Sequence, residues 1–223
     1  SSTQDNMFIR FSDQEDPATW TPTATNTAGS QRLTDGNQIN AAVRSRGVIL
    51  IYTDTALYQM QFIGPPFTFG FRQLGTNCGA VGINAAVDVN GIAYWMGNDS
   101  FFLFDGAVKK IPCSVQDYVF DDINNNALGD VFCAVNSDFN EVIWFYPSKN
   151  STQVDRNVTY NYAEKIWYIG TLARSSWADR GVYSNPYAAE FEAGATTATI
   201  STINGVKEGR TLIYLHEEGV NDD

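Results

Sequence analysis

The sequence predicts an all-β fold: a β-propeller-like array of antiparallel three- to four-stranded blades with one short helix. Three observations carry that expectation. Residues 83–112 hold three apolar or aromatic runs, at 83–87, 92–96 and 101–104, divided by Asp88-Val89-Asn90-Gly91 and Gly97-Asn98-Asp99-Ser100. Asn-Gly and tight polar turns favour positive backbone angles, so the runs should fold back on one another as an antiparallel meander. The same opening stands 44 residues upstream: Ile39-Asn40-Ala41-Ala42-Val43 matches Ile83-Asn84-Ala85-Ala86-Val87, again followed by two more runs, at 47–52 and 56–62. A third, looser copy runs through 131–135, 141–146, 158–162 and 165–169. Repeats of about 40 to 50 residues with three or four strands each are the mark of propeller blades, because one meander cannot bury both faces and stacked meanders can.

Taken in order, the chain opens on the strand-like run Met7-Phe8-Ile9-Arg10-Phe11. Residues 13–31, rich in Pro, Thr, Asn, Asp and Gly, then read as a long ordered loop anchored by Trp20 between Pro17 and Pro22. The blade-like units are expected at about 37–76, 81–112 and 131–172, with partial units at 1–34 and 198–223, all within one propeller or partial-propeller domain spanning 1–223. The first unit closes on Gly64-Pro65-Pro66-Phe67-Thr68-Phe69-Gly70. Pro-Pro cannot sit in a central strand, so this is an edge or a turn, with Phe67 and Phe69 either capping the blade or docking on another chain. Trp20, Pro65, Pro66, Phe67 and Phe69 are therefore the candidate subunit-interface residues.

Residues 114–126 form the best helix candidate, with Ser114 as N-cap, Val115, Val119 and Ile123 on one side and acids on the other. Beyond residue 172 the blade pattern loosens. Residues 190–205 are rich in Ala and Thr with little amphipathic signal, and 211–215 read as a central strand that the sequence ends without partnering. The expectation is an array unfinished at both ends.

Composition narrows the function. Aromatics at 13% and charged residues at 17% describe a packed, mostly β protein rather than a disordered one. A net charge of −11, from 14 Lys and Arg against 25 Asp and Glu, argues against a phosphate-gripping surface, which needs clustered cations. Eight acids face two bases between residues 114 and 164, and Asp117, Asp121, Asp122 and Asp130 are the candidate acidic surface. Cys78, Cys113 and Cys133 are widely spaced without metal-ligand spacing, and their odd count suits buried thiols in a reducing cytosol. No signal peptide, membrane-spanning run or lipidation motif is read, so the Asn98, Asn150 and Asn157 sequons carry little weight.

No constellation for chemistry emerges, and the chain reads as a non-enzyme without metal or cofactor. His216 is the one histidine, and without a Ser or Cys elbow it reads as an ordinary surface residue. A single His with scattered Cys cannot furnish a zinc site. Residues 121–130 have the oxygen density of a calcium loop but lack its spacing and terminal Glu. The glycines lie at strand-to-strand turns rather than between strand and helix, so no phosphate loop forms.

The residues nevertheless fit a family. The segment from Arg10 to Pro17 with Trp20-Thr21-Pro22, then Tyr52-Thr53-Asp54-Thr55-Ala56-Leu57-Tyr58, Phe62-Ile63-Gly64-Pro65-Pro66, Leu74-Gly75-Thr76-Asn77-Cys78-Gly79 and Tyr94-Trp95-Met96-Gly97 resembles the tail hub or nozzle proteins of tailed bacteriophages. These β-propeller-containing proteins, which include the packaged-DNA stabilisation proteins, extend the tail tube below the portal and adaptor of short-tailed phages. The resemblance is strong from about 10 to 110 and, beyond 130, rests on strand pattern and Tyr214-Leu215-His216-Glu217-Glu218-Gly219. It implies a virion structural protein, assembled in the host cytoplasm as a homo-oligomeric ring, usually six-fold. Its partners would be the portal, adaptor and other tail proteins, with no membrane contact, and DNA would pass through without specific binding. An acidic lumen would repel the phosphate backbone and let DNA slide. Family members are generally longer than this chain. A second reading is a carbohydrate-binding or glycan-cleaving propeller, a receptor-binding part, with Trp177, Asp179, Tyr183 and Tyr187 as its nearest candidates.

Overall fold

A computed structural model describes residues 4–181, 184–193 and 209–216. The fold is all-β and blade-like, with five separate antiparallel sheets of two to four strands, none closed into a barrel, and one short helix among the described residues. The chain divides into two compact units, Ser1–Cys113 and Ser114–Asp223.

In the first unit, β1 (Phe8–Phe11) and β2 (Gly29–Arg32) form a two-stranded sheet. The expected long loop thus ends sooner than residue 31, because Gly29 is already opposite Phe11. Two four-stranded meanders follow: β3 (Ile39–Ser45), β4 (Val48–Thr53), β5 (Ala56–Gly64) and β6 (Thr68–Thr76), then β7 (Ala86–Val89), β8 (Ile92–Met96), β9 (Phe101–Phe104) and β10 (Val108–Ile111).

The 44-residue repeat holds in register through three strands. Ala42 pairs with Ile51 and Ile51 with Tyr58; 44 residues on, Ala86 pairs with Trp95 and Trp95 with Phe102. The first hairpin turns also match. Arg46-Gly47 (φ 47° and 81°) and Asn90-Gly91 (φ 52° and 84°) both take two positive φ values, the type I′ pattern that suits strand twist. The second copy begins its strand at Ala86 rather than Ile83, which is exposed in a turn. The ladder breaks at the same repeat position in both copies, since β3 carries a bulge between Ile39 and Ala41. The copies part at the last hairpin, where β5 and β6, nine residues each, are joined through Pro65-Pro66-Phe67, while β9 and β10, four residues each, are joined by Asp105-Gly106-Ala107.

The sheets of this unit stack head to tail. Ile51, with Tyr58 and Met60, faces Met7 and Leu33, whereas its repeat-mate Trp95 joins Leu50, Tyr52 and Leu57 of the preceding sheet. Each meander therefore offers the same repeat position to the sheet before it. The period-2 alternation of β4, with Leu50 and Tyr52 on one face and Ile51 on the other, makes two cores from one strand.

In the second unit, α1 (Gln116–Asp122) buries Val119, and Ile123 just beyond it is also buried. Its N-cap is Val115 without a side-chain cap bond, not Ser114, so the hydroxyl lies one residue too early. A 3₁₀ turn at Leu128–Asp130 leads into the third meander, β11 (Phe132–Asn136), β12 (Glu141–Tyr146), β13 (Arg156–Asn161) and β14 (Ile166–Gly170).

The end of the chain departs from expectation. β15 (Ser176–Ala178), β16 (Tyr187–Ala193) and β17 (Gly209–Leu215) form a three-stranded sheet, with Tyr187 opposite Leu215. The last strand thus has its partner upstream, in Tyr187-Ala188-Ala189, whose small residues gave no apolar run to detect. Of the partial unit expected at 198–223, residues 198–208 and 217–223 lie outside the described residues. Ala134, Ile143 and Phe145 of the third meander pack with Phe132, Leu172 and Trp177, and Trp177 Nε1 donates to Val135 O at 2.9 Å. Cys78 is buried as expected, whereas Cys113 and Cys133 are half-buried.

Candidate functional site

The candidate interface residues fall at one end of the first unit. β5 runs out through Phe62 and Ile63 and returns as β6 after Pro65, Pro66 and Phe67. A register shift between Phe62 and Gly64 leaves Ile63 as the extra residue of a bulge, a device that turns side chains outward at a sheet margin. Phe62, Ile63 and Phe67 are 62%, 56% and 72% exposed, an apolar tip on a proline-stiffened hairpin.

Phe67 and Phe69 have different fates. Phe69 is half-buried, set edge-on to Phe11 at 4.9 Å and to Phe62 at 5.8 Å, and belongs to the packing beneath the β1–β2 hairpin. Gly29 permits this arrangement, since a Cβ there would stand 2.3 Å from the Phe11 ring. Phe69 is thus a cap of the blade, and Phe67 is the residue left to solvent.

The long loop leaves from the same end, because it follows Phe11 and returns at Gly29, and Thr68 Oγ1 donates to Thr27 O at 3.2 Å. Asp13 is its hub. One carboxylate oxygen accepts from Gln14 N, Thr27 N and Thr27 Oγ1 at 2.9, 2.7 and 2.6 Å. These bonds, led by the Thr27 hydroxyl, hold the Asp13 carboxyl below its ordinary range. Asp16 accepts from Ala18 N and Thr19 Oγ1, Asn26 bridges Thr23 N and Thr21 O, and Trp20 Nε1 donates to Pro17 O at 2.7 Å. Arg10 Nη2 reaches Trp20 O at 2.7 Å, and the indole remains 44% exposed. A loop tied this way presents Trp20 at low entropic cost. Asp13→Ala is expected to loosen the loop without unfolding the sheets, read as a red shift and faster quenching of the Trp20 emission with all other tryptophans replaced by Phe except Trp95.

The candidate acidic residues lie on α1 and after it. Asp117, Asp121 and Asp130 are exposed, whereas Asp122 is half-buried and paired with Arg156 at 3.5 Å, which Asp155 also approaches at 3.7 Å. Among the described glycan candidates, Trp177 is half-buried between Phe145 at 6.0 Å and His216 at 4.6 Å, and Asp179 accepts from Ser137 N. Tyr187 is half-buried in β16, and Tyr183 lies outside the described residues.

His216, expected as an ordinary surface residue, is half-buried. Its Nε2 accepts from Arg174 Nε at 3.1 Å, rather than meeting a hydroxyl or thiol. Sequence gave no signal for this contact, because the partners stand 42 residues apart. Among the described residues, no three His, Cys, Asp or Glu side chains converge on a metal-sized site. No protein-family model matches the chain, and no curated protein matches it significantly.

Proposed function

We propose that this chain is a structural protein of a bacteriophage tail hub or nozzle. In this reading it assembles with copies of itself into a ring that continues the DNA channel below the portal and helps retain and then conduct the genome. The observation that carries the assembly half of the reading is the apolar hairpin tip. Phe62, Ile63 and Phe67 stay in solvent on a rigid turn beside a loop tied by its own hydrogen bonds. Covering one such side chain stabilises a contact by roughly 1.5–3 kcal/mol, so leaving three uncovered is costly unless a partner arrives. The tail half rests on the sequence resemblance, the blade-like sheets and a net charge of −11, which suits a conduit that DNA slides through.

The test is the mass of the native assembly by light scattering or mass photometry, with imaging of any ring. A discrete multi-copy ring with an open centre is expected. Phe67→Ser combined with Phe62→Ser should weaken self-association by roughly a hundredfold while costing the monomer only about 1 kcal/mol, from the lost edge contact of Phe62 with Phe69. A wild-type chain that stays monomeric both alone and with a portal template would refute the proposal.

A further inference from the structure

The contacts of His216 form a unit of their own. Its backbone closes the β15–β17 sheet: His216 N donates to Pro186 O at 2.9 Å, and Asn185 Nδ2 donates to His216 O at 3.1 Å. The ring lies tilted against Trp177 of β15, with centroids 4.6 Å apart, and accepts from Arg174 Nε. Arg174 is only 7% exposed, and its Nη1 donors turn into the same cluster. Nη1 donates to Ala173 O at 2.6 Å and to Glu190 of β16 at 3.2 Å, and the guanidinium lies 4.0 Å over the Tyr214 ring of β17. One buried cation thus ties the segment before β15 to the two other strands and to the imidazole.

We propose that this cluster is an acid-released latch, in which neutral His216 holds Arg174 and protonation of the imidazole loosens the β15–β17 sheet. The chemistry follows from the donor at Arg174. A guanidinium has N–H groups and no acceptor, so His216 Nε2 must carry a lone pair and the ring proton sits on Nδ1. A proton added at Nε2 replaces the hydrogen bond with two N–H groups pointed at each other and puts two positive charges 3.1 Å apart. Among the described residues, the charged and titratable groups at the ring are Arg174 itself, Glu190 through Arg174, and Tyr214 beneath the guanidinium, while Trp177 on β15 is neutral. Glu217 and Glu218 follow in the sequence, outside the described residues. Burial first, and Arg174 second, lower the His216 pKa from its ordinary 6.5. The unfolded or opened chain therefore binds the proton more readily. The latch contributes fully above about pH 6.5 and weakens as pH falls through that value toward the lower folded pKa.

Because Trp177 also packs on Phe145 and donates to Val135 O, release would be felt at the contact between this sheet and the third meander. The latch is internal to the second unit and does not depend on self-association.

Hydrogen exchange on the full chain tests it. Between about pH 7.5 and about pH 5, corrected for intrinsic rates, protection in β16 and β17 should fall several-fold relative to β12 and β13, because the opened chain takes up the proton more readily than the latched one. His216→Gln keeps an acceptor that does not titrate, and its protection should be flat over that range. Unchanged wild-type protection, or an equal fall in His216→Gln, would overturn the latch. Should the variant fail to fold, an ¹⁵N titration of the wild-type imidazole decides. An Nδ1–H tautomer titrating below 6.5 supports the latch, and titration above 6.5 defeats it.

Discussion

Trp95→Ala is expected to unfold the first unit or bring it to the edge of unfolding. Trp95 is fully buried, stacked on Phe102 at 5.5 Å and edge-on to Tyr52 at 5.1 Å, and its indole N–H reaches Cys78 O at 2.8 Å. It stands where the second meander meets the first, so removing it empties the core between two sheets at once. Truncating a buried aromatic of this size costs about 3–5 kcal/mol, and an orphaned buried carbonyl adds about 1 kcal/mol or more. A domain's whole stability is only about 5–15 kcal/mol. The Cys78 thiol, which burial pushes up from its ordinary pKa, reports the result: it should react slowly in the native chain and rapidly in the variant. A Trp95→Ala chain whose Cys78 stays unreactive and whose denaturation midpoint is unmoved would show that the two meanders do not share this core. Trp95→Phe keeps most of the ring area and should lose only part of the effect.

The same residue shows what could be read before any coordinates. The pentapeptide repeat fixed both spacing and register, because strand pairing follows from two turns of identical type at Arg46-Gly47 and Asn90-Gly91. Runs of Val, Ile, Leu and aromatic residues marked every inner strand of the three meanders. What escaped were elements without an apolar run. β15 and β16 are written in Ser, Ala, Glu and a single Trp or Tyr and Phe, and they become strands because they pair, β16 with β17 on one side and with β15 on the other. That is tertiary context overriding propensity. The helix was visible from Val119 and Ile123, but its cap was not: a hydroxyl near a helix start need not be the one in cap geometry.

The interface candidates were legible as a turn and illegible as a surface. Pro65-Pro66 forbids a central strand, so the tip itself follows from local chemistry. The division between Phe67 and Phe69 does not, because it depends on Phe11 arriving from 58 positions away with Gly29 beneath it. The His216 cluster is a clearer case still. Arg174, Trp177, Glu190, Tyr214 and His216 are spread over 42 residues, and no spacing in the chain joins them before β15, β16 and β17 pair.

Gly79→Ala should be the most damaging change of a single methyl group in the first unit. Here the segment after β6 crosses the β4–β5 turn with backbone on backbone. Cys78 N donates to Thr55 O at 2.9 Å and Ala80 N to Thr53 O at 3.1 Å, with Gly79 between them. A Cβ on Gly79 would stand 2.4 Å from the carbonyl carbon of Asp54 and 2.5 Å from the carbonyl oxygens of Asp54 and Thr53. Backbone cannot swing aside as a side-chain tip can. Relief must come from lifting Cys78 and Ala80, both buried, and from breaking one or both of those hydrogen bonds. Overpacking of about 1–3 kcal/mol and net losses of about 0.5–1.5 kcal/mol per bond bring the expected cost to roughly 3–5 kcal/mol. Gly47→Ala separates this effect from backbone strain. Gly47 has φ +81° with nothing within 4 Å of an added Cβ, so only the left-handed conformation is penalised, at about 1–2 kcal/mol. Denaturant unfolding of both variants should rank Gly79→Ala well below Gly47→Ala. An inverted or equal ranking would mean that the crossing is looser than the geometry requires, and with it the seat of Trp95, whose indole N–H is held by the carbonyl of Cys78.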